Sequence, residues 1–387
     1  MYSIFFLIIL SIILLLFLIK LFKLKTNTLI SIILSFLILY FIIKPQLVIN
    51  SSINGGKIFL TSIFPVMFPF MVICNFLLNI DGVSIYSKVL GPIVCKPLSL
   101  NKNCSFPIIT SFLSGYPLGA KYSEKIYSQN LIDFNQFSRL INIATNIGPL
   151  FLIGSVGTTM LSDTKIGYLL LIPSYLSPLI IGLLTKKKNS KNYLFSKSKK
   201  NIKLNFGEVI RKSIEDASLT MLTLGGYIVV FSVIINIFKN SIIFAIFLST
   251  LSSLLGISKV FLESLFLGSI ELTNGCKIVT ESTLPLDVKL CIISFLSSFG
   301  GLSIIAQTYA FFSKYNISLK KYFLLKFLQG IISASIMAII CLLTKNNIST
   351  LYSTLLSRSN FLMLLFIIII FITFLILILN KTSRKFN

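Results

Sequence analysis

Five stretches of the chain, residues 2–19, 28–43, 58–80, 323–343 and 361–379, run almost without a charged side chain. A segment crossing the hydrocarbon of a bilayer needs about 20 mostly apolar residues, and helix lets such a segment satisfy its own backbone polar groups. Buried helices of soluble proteins rarely run to that length uncharged. Repeated stretches of this kind read as an all-α, polytopic transmembrane helical bundle. Composition agrees, since 12% of the residues are charged against about 25% in an average soluble domain.

Nine spans are predicted, at 2–19, 28–43, 58–80, 136–160, 166–185, 214–238, 287–312, 323–343 and 361–379. The first has no basic segment before it and no small-residue cleavage site after it, so it is expected to be retained as a span. Residues 84–120 and 241–276 are broken by glycine, proline and polar residues. Each leaves two readings open, an interfacial helix with a re-entrant hairpin or two tilted spans.

The net charge of +24 resides mostly between the apolar runs. The segment 186–212 is the most basic, with ten Lys and Arg against the single acid Glu208. Lys20–Lys25, Lys314–Lys326 and the tail with Lys381, Arg384 and Lys385 are basic as well. Counting spans puts all four on one face, which the positive-inside rule makes cytoplasmic. The expected location is thus the cell membrane, with the N-terminus outside and the C-terminus inside. The charge is matched to anionic lipid, and no nucleic-acid partner is expected.

The two halves share a plan: a long span, two short broken pieces ending in Gly-x-Lys, a polar-striped span and a further span. Gly119-Ala120-Lys121 answers to Gly275-Cys276-Lys277, and Gly148-Pro149-Leu150 to Gly300-Gly301-Leu302. By the span count the halves run in opposite directions, so the repeat is expected to be inverted. Charge gives a separate argument: residues 81–139 hold six basic and three acidic side chains, residues 239–289 four of each. The chain then divides into two N-terminal helices (1–45), a first repeat (55–185), a basic loop (186–212), a second repeat (213–345) and a C-terminal helix with a basic tail (360–387). Inverted repeats with broken helices point to a transporter-like site at the bilayer midplane.

Polar residues inside apolar runs are the candidates for that site. Glu271 sits against the break Thr273-Asn274-Gly275, and Glu263 lies in the same stretch. A carboxylate at membrane depth needs water, a cation or a proton, so each reads either as an ion site or as an interfacial residue near a helix end. Asn142 and Asn146 are one helical turn apart and share a face. Pro149 has no amide to give the carbonyl of Thr145, which leaves that acceptor open. Ser294, Ser297 and Ser298 before Gly300-Gly301 repeat the plan. Both polar faces read equally as a site or as helix–helix glue. Tyr116, Pro117, Gly119 and Lys121 fall in a stretch that cannot be helical throughout, and Glu215 and Asp216 are expected in the first turn of span 214–238.

Chemistry is sparsely provided. There is no histidine, and the six cysteines are scattered without a C-x-x-C pair, so no metal, cofactor or disulfide framework is expected. No nucleotide-loop or nucleophile-elbow motif occurs, and the chain is not expected to be an enzyme.

At Gly115-Tyr116-Pro117-Leu118-Gly119-Ala120-Lys121 the chain resembles the sporulation integral membrane protein family called YlbJ. Phe64-Pro65, Phe68-Pro69-Phe70, the run from Gly148 to Gly154 and Glu271-Leu272-Thr273-Asn274-Gly275 extend the resemblance over roughly 55–345. That family is similar to the nucleoside-recognition Gate proteins, which include spore maturation proteins and part of the concentrative nucleoside transporters. The resemblance implies an endospore former, a multi-pass location and a role in building the spore envelope, the cortex above all. It does not imply nucleoside transport.

Together these readings predict a transporter-like protein that moves or gates a small solute, with a coupling ion, between two repeats. Tyr116, Gly119, Lys121, Asn142, Asn146, Glu271, Asn274 and Ser298 are expected to line the site. Pro117, Gly148, Pro149, Gly275, Gly300 and Gly301 are expected to break its helices. The alternative is a non-transporting scaffold that recruits other spore-envelope proteins through the 186–212 loop.

Overall fold

The computed structural model describes residues 26–80, 82–186 and 206–344. The expected spans 2–19 and 361–379, most of the basic loop and the basic tail lie outside the described residues.

The described chain is helical. It opens with α1 (Thr26–Ile43) and α2 (Pro45–Ile58), which meet at a bend of 101°. Wide π turns at Phe59–Ile63 lead into α3 (Phe64–Asn79). Pro65 and Pro69 lack the amides that a regular helix uses, and a π turn is one way a helix absorbs such a loss. The short amphipathic α4 (Gly82–Val89) and α5 (Gly91–Val94) follow. Next come α6 (Ser105–Ser114) and α7 (Leu118–Ser128), which pack on each other as a helical hairpin, hairpin 1. Helix α8 (Phe134–Ile143), a π segment (Phe151–Met160) and α9 (Thr164–Leu184) complete the first half.

The second half runs α10 (Phe206–Lys239), α11 (Ile242–Leu255), α12 (Lys259–Ile270), α13 (Leu272–Glu281), α14 (Leu286–Phe299), α15 (Gly301–Phe312) and α16 (Leu319–Thr344). Helices α12 and α13 pack on each other as hairpin 2. Two sets of contacts between the halves come in exchanged pairs. Helix α7 of hairpin 1 meets α15, while α13 of hairpin 2 meets the π segment. Likewise α8 meets α16, while α14 meets α9.

Among the described residues four helices are long and apolar enough to cross a membrane: Thr164–Leu184, Phe206–Lys239, Leu286–Phe312 and Leu319–Leu343. Two bent pairs, Ile30–Ile43 with Pro45–Thr61 and Met67–Asn79 with Gly82–Val89, raise this to six if each is one span. The outward surface is apolar, with Phe36 68%, Ile42 70% and Leu222 76% exposed. Apolar surface on this scale has to be covered, and here lipid covers it.

Three expectations are corrected. The continuous span 136–160 is two helices, because residues 144–148 leave the helix altogether. Glu215 and Asp216 do not open a helix. Helix α10 starts at Phe206, and the two acids pair inside it with Arg211 and Lys125. Lys326 is no loop charge: it lies within α16 and is 1% exposed.

Candidate functional site

The centre of the molecule is polar where its outside is not. Helix α8 ends at Ile143, and Thr145, Asn146 and Ile147 follow in irregular backbone up to Gly148. Irregular backbone at membrane depth is tolerated inside protein, where other groups satisfy it. Two partners do so here. The Ser111 hydroxyl of α6 accepts from the Asn146 amide at 3.0 Å and from its side-chain Nδ2 at 3.2 Å. The Lys326 ammonium donates to the Thr145 carbonyl. That carbonyl is the acceptor the proline at 149 was expected to open, and the break around it is wider than one missing amide.

Lys326 also donates to Gln329 Oε1 at 2.8 Å and stands 5.2 Å from the centre of the Tyr116 ring. Gln329 in turn donates to Asn146 Oδ1 at 3.3 Å, and Tyr322 lies 3.4 Å from the Thr145 hydroxyl. The tip of hairpin 1 closes the cluster from above. The Tyr116 hydroxyl donates to the carbonyls of Ser297 and Ser298 at 3.0 and 3.1 Å. These carbonyls end α14, where Gly300 and Gly301 take φ of +84° and +77° and interrupt the regular helical turns of the span. One tyrosine thus bridges the break in the second half while covering the cation held at the break in the first.

Other expected site residues go elsewhere. Gly119 is needed for packing, since a Cβ there would sit 1.7 Å from the Ala144 carbonyl oxygen. Lys121 turns away from the hairpin tip and donates to Thr220 Oγ1 at 2.8 Å and the Asp216 carbonyl at 3.2 Å on α10. Asn142 bonds the Ser138 carbonyl of its own helix at 2.9 Å. Ser298 is at the cluster, and its hydroxyl is 3.2 Å from that of Ser177. Pro117 precedes α7 at the hairpin 1 tip, and Gly148 and Pro149 stand where the first break ends.

Hairpin 2 is closed upon itself. Glu271 is the residue between α12 and α13, and its carboxylate accepts from the amides of Thr273 and Asn274 at 2.8 Å each and from Asn274 Nδ2 at 2.9 Å. It is an N-cap, the position where an acceptor meets orphan amides and the positive end of the helix dipole. Asn274 reaches outward to Ser232 at 3.4 Å. Gly275 does not break a helix: it lies inside α13 and packs against Gly268 of α12. The break is at Glu271 itself.

The sequence reading missed Lys326, Gln329 and Ser111. Lys326 and Gln329 are three apart, on one face of an otherwise apolar span, with Gly330 and Ser333 beside them. A charge inside such a run is the signal, because an ammonium at membrane depth costs about 2.5–3.5 kcal/mol and needs partners.

Comparison with known proteins bears on this arrangement. Residues 60–143, which include hairpin 1 and α8, match the Gate family, described as nucleoside recognition. The chain is 25% identical over 333 residues to the sporulation integral membrane protein YlbJ of Bacillus subtilis (strain 168), covering 80% of this chain and 82% of that protein. The chain is YlbJ-like. It is a multi-pass integral membrane protein and a distant homologue of that sporulation protein. No solved structure matches it.

Proposed function

We propose that this YlbJ-like chain serves endospore formation, in assembly of the spore cortex, as a transporter-like protein that gates a small solute between two inverted repeats. The observation that carries the reading is the Tyr116–Lys326 cluster, in which one hairpin tip joins two helix breaks. Unwound backbone and half-helix ends at a repeat interface are the parts from which such transporters build a solute and ion site.

The exchanged contacts support the repeat, with 55–185 and 213–345 as its two units. A pseudo-twofold relation maps α7 on α13, the π segment on α15, α8 on α14 and α9 on α16. The α7–α15 contact then has its image in α13 with the π segment, and the α8–α16 contact in α14 with α9. The hydroxyls of Ser294, Ser297 and Ser333 are buried without a hydrogen-bond partner and give the same region polar capacity still unspent. The basic segment 186–212 would face the cytoplasm, which puts the C-terminus inside.

The test is complementation of a null strain in an endospore former, scored by cortex formation and heat resistance, with protein levels checked by blot. Lys326→Met and Tyr116→Ala, present at normal levels, are expected to fail, while a chain with the lysines of 186–212 neutralised supports sporulation. The opposite pattern sinks the gating reading and favours a scaffold that holds its partners through the basic loop.

A further inference from the structure

Lys326 occupies the place a bound cation would take. Its ammonium has three protons to donate. One is held by the Thr145 carbonyl in unwound backbone, one by the Gln329 amide oxygen, and the third side faces the Tyr116 ring at 5.2 Å, within cation–π range. A carbonyl from a broken helix, an amide oxygen and an aromatic face are ligands of a monovalent cation. No carboxylate pairs with Lys326 among the described residues. With every donor engaged, an anionic solute has no proton left to bind.

The neighbouring ionisable groups are committed elsewhere. On α14, Asp287 accepts from the Val288 amide, Lys289 donates to the Thr280 carbonyl and Cys291 lies beside Cys341 of α16. On α9, Tyr175 donates to the Phe112 carbonyl, and Lys165 and Tyr168 are exposed. On α8, Arg139 holds the carbonyls of Leu98, Ser99 and Gly182. On α16, Lys320 and Lys321 are exposed, and Tyr322 faces the Thr145 hydroxyl. Tyr116 from hairpin 1 completes the shell.

We propose that Lys326 is a tethered cation that fills the monovalent-cation site of this pathway, so that movement is coupled to protonation of Lys326 and not to sodium. This rests on the transporter-like reading. With its proton, the amine holds the first break and the underside of hairpin 1 together. When the ammonium gives that proton to water, the charge under the Tyr116 ring is gone and one donor with it. The amine keeps two N–H groups, hairpin 1 loosens, and reprotonation closes it.

Thermal unfolding of the purified full chain in detergent tests the cation site with no solute present. Wild type is expected to unfold at the same temperature in sodium and in choline chloride. Lys326→Ala is expected to unfold earlier in choline and to regain roughly 3 °C or more, saturably, with sodium or methylammonium. Saturable stabilisation of wild type by sodium, or no gain by the variant from either cation, overturns the proposal. Should Lys326→Ala not fold, hydrogen exchange on wild type decides. After correction for intrinsic rates, protection at residues 115–121 and 144–150 should fall as pH rises from neutral to alkaline, and a flat profile overturns the coupling. Failure here with Tyr116→Ala still defective in sporulation removes the tethered cation and leaves gating standing. Normal sporulation by both site variants alongside cation rescue does the reverse.

Discussion

The two hairpins meet similar demands in opposite ways. Hairpin 1 is tied outward: its tip tyrosine donates to the end of α14, its Ser111 holds the first break, and Gly119 lies against the Ala144 carbonyl. Hairpin 2 is tied inward. Glu271 takes three hydrogen bonds from its own α13 turn, and Gly275 packs on Gly268 within the same hairpin. A tip whose polar groups are mostly satisfied internally strands few of them if it shifts as a unit; in hairpin 2 the exception is the Asn274 bond to Ser232. A tip whose bonds reach other elements strands them. The difference makes hairpin 1 the element that a change at Lys326 must release.

Substitutions can break that comparison. Gly119→Ala should have the largest effect. Its methyl meets the backbone of another element, and overpacking of this kind costs about 1–3 kcal/mol or more, so the chain should unfold early or fail to accumulate. Gly275→Ala, whose nearest clash is with Gly268 of the same hairpin, should unfold at a higher temperature than Gly119→Ala. The reverse order would mean that hairpin 2 is the anchored element.

Glu271→Ala comes next. Loss of the cap should cost about 1–2 kcal/mol, read in chemical denaturation, and should raise exchange at residues 271–276 with hairpin 1 unchanged. Spread of that change to residues 115–121 would show the hairpins coupled. Tyr116→Phe keeps the ring over Lys326 and loses the hydroxyl, for about 0.5–1.5 kcal/mol. Exchange should rise at 297–302, and not at 144–150.

The smallest effect lies outside the span region. Glu124 of α7 accepts from Tyr315 at 2.7 Å and pairs with Lys314 at 2.8 Å in the turn after α15. The bond to Glu124 raises the Lys314 pKa above the ordinary lysine value. A raised value means this stabilisation is complete below the ordinary lysine pKa and is lost as pH climbs through the raised one. The side chain is exposed, so solvent screens the pair. Tyr315→Phe should therefore cost about 0.5–1 kcal/mol, and Lys314→Met should flatten a shallow alkaline decline in melting temperature.

Much of this was legible in the chain. Long uncharged runs fix helix and membrane, because a backbone in lipid must bond to itself. The run Gly148-Pro149, the pair Gly300-Gly301 and the Gly115–Pro117 turn announce breaks, since neither residue type sustains a helix there. What those breaks hold was decided by the tertiary structure. Glu271 carries the charge that looked most like an ion ligand, and local geometry spends it on an N-cap. Lys326 looked like the last charge of the basic run 314–326, and packing of α16 against α8 puts it on a carbonyl contributed from 181 residues away. Periodicity assigns a residue to a face of its own helix, but which foreign backbone that face meets is a property of the packed bundle. The site here is made of such meetings.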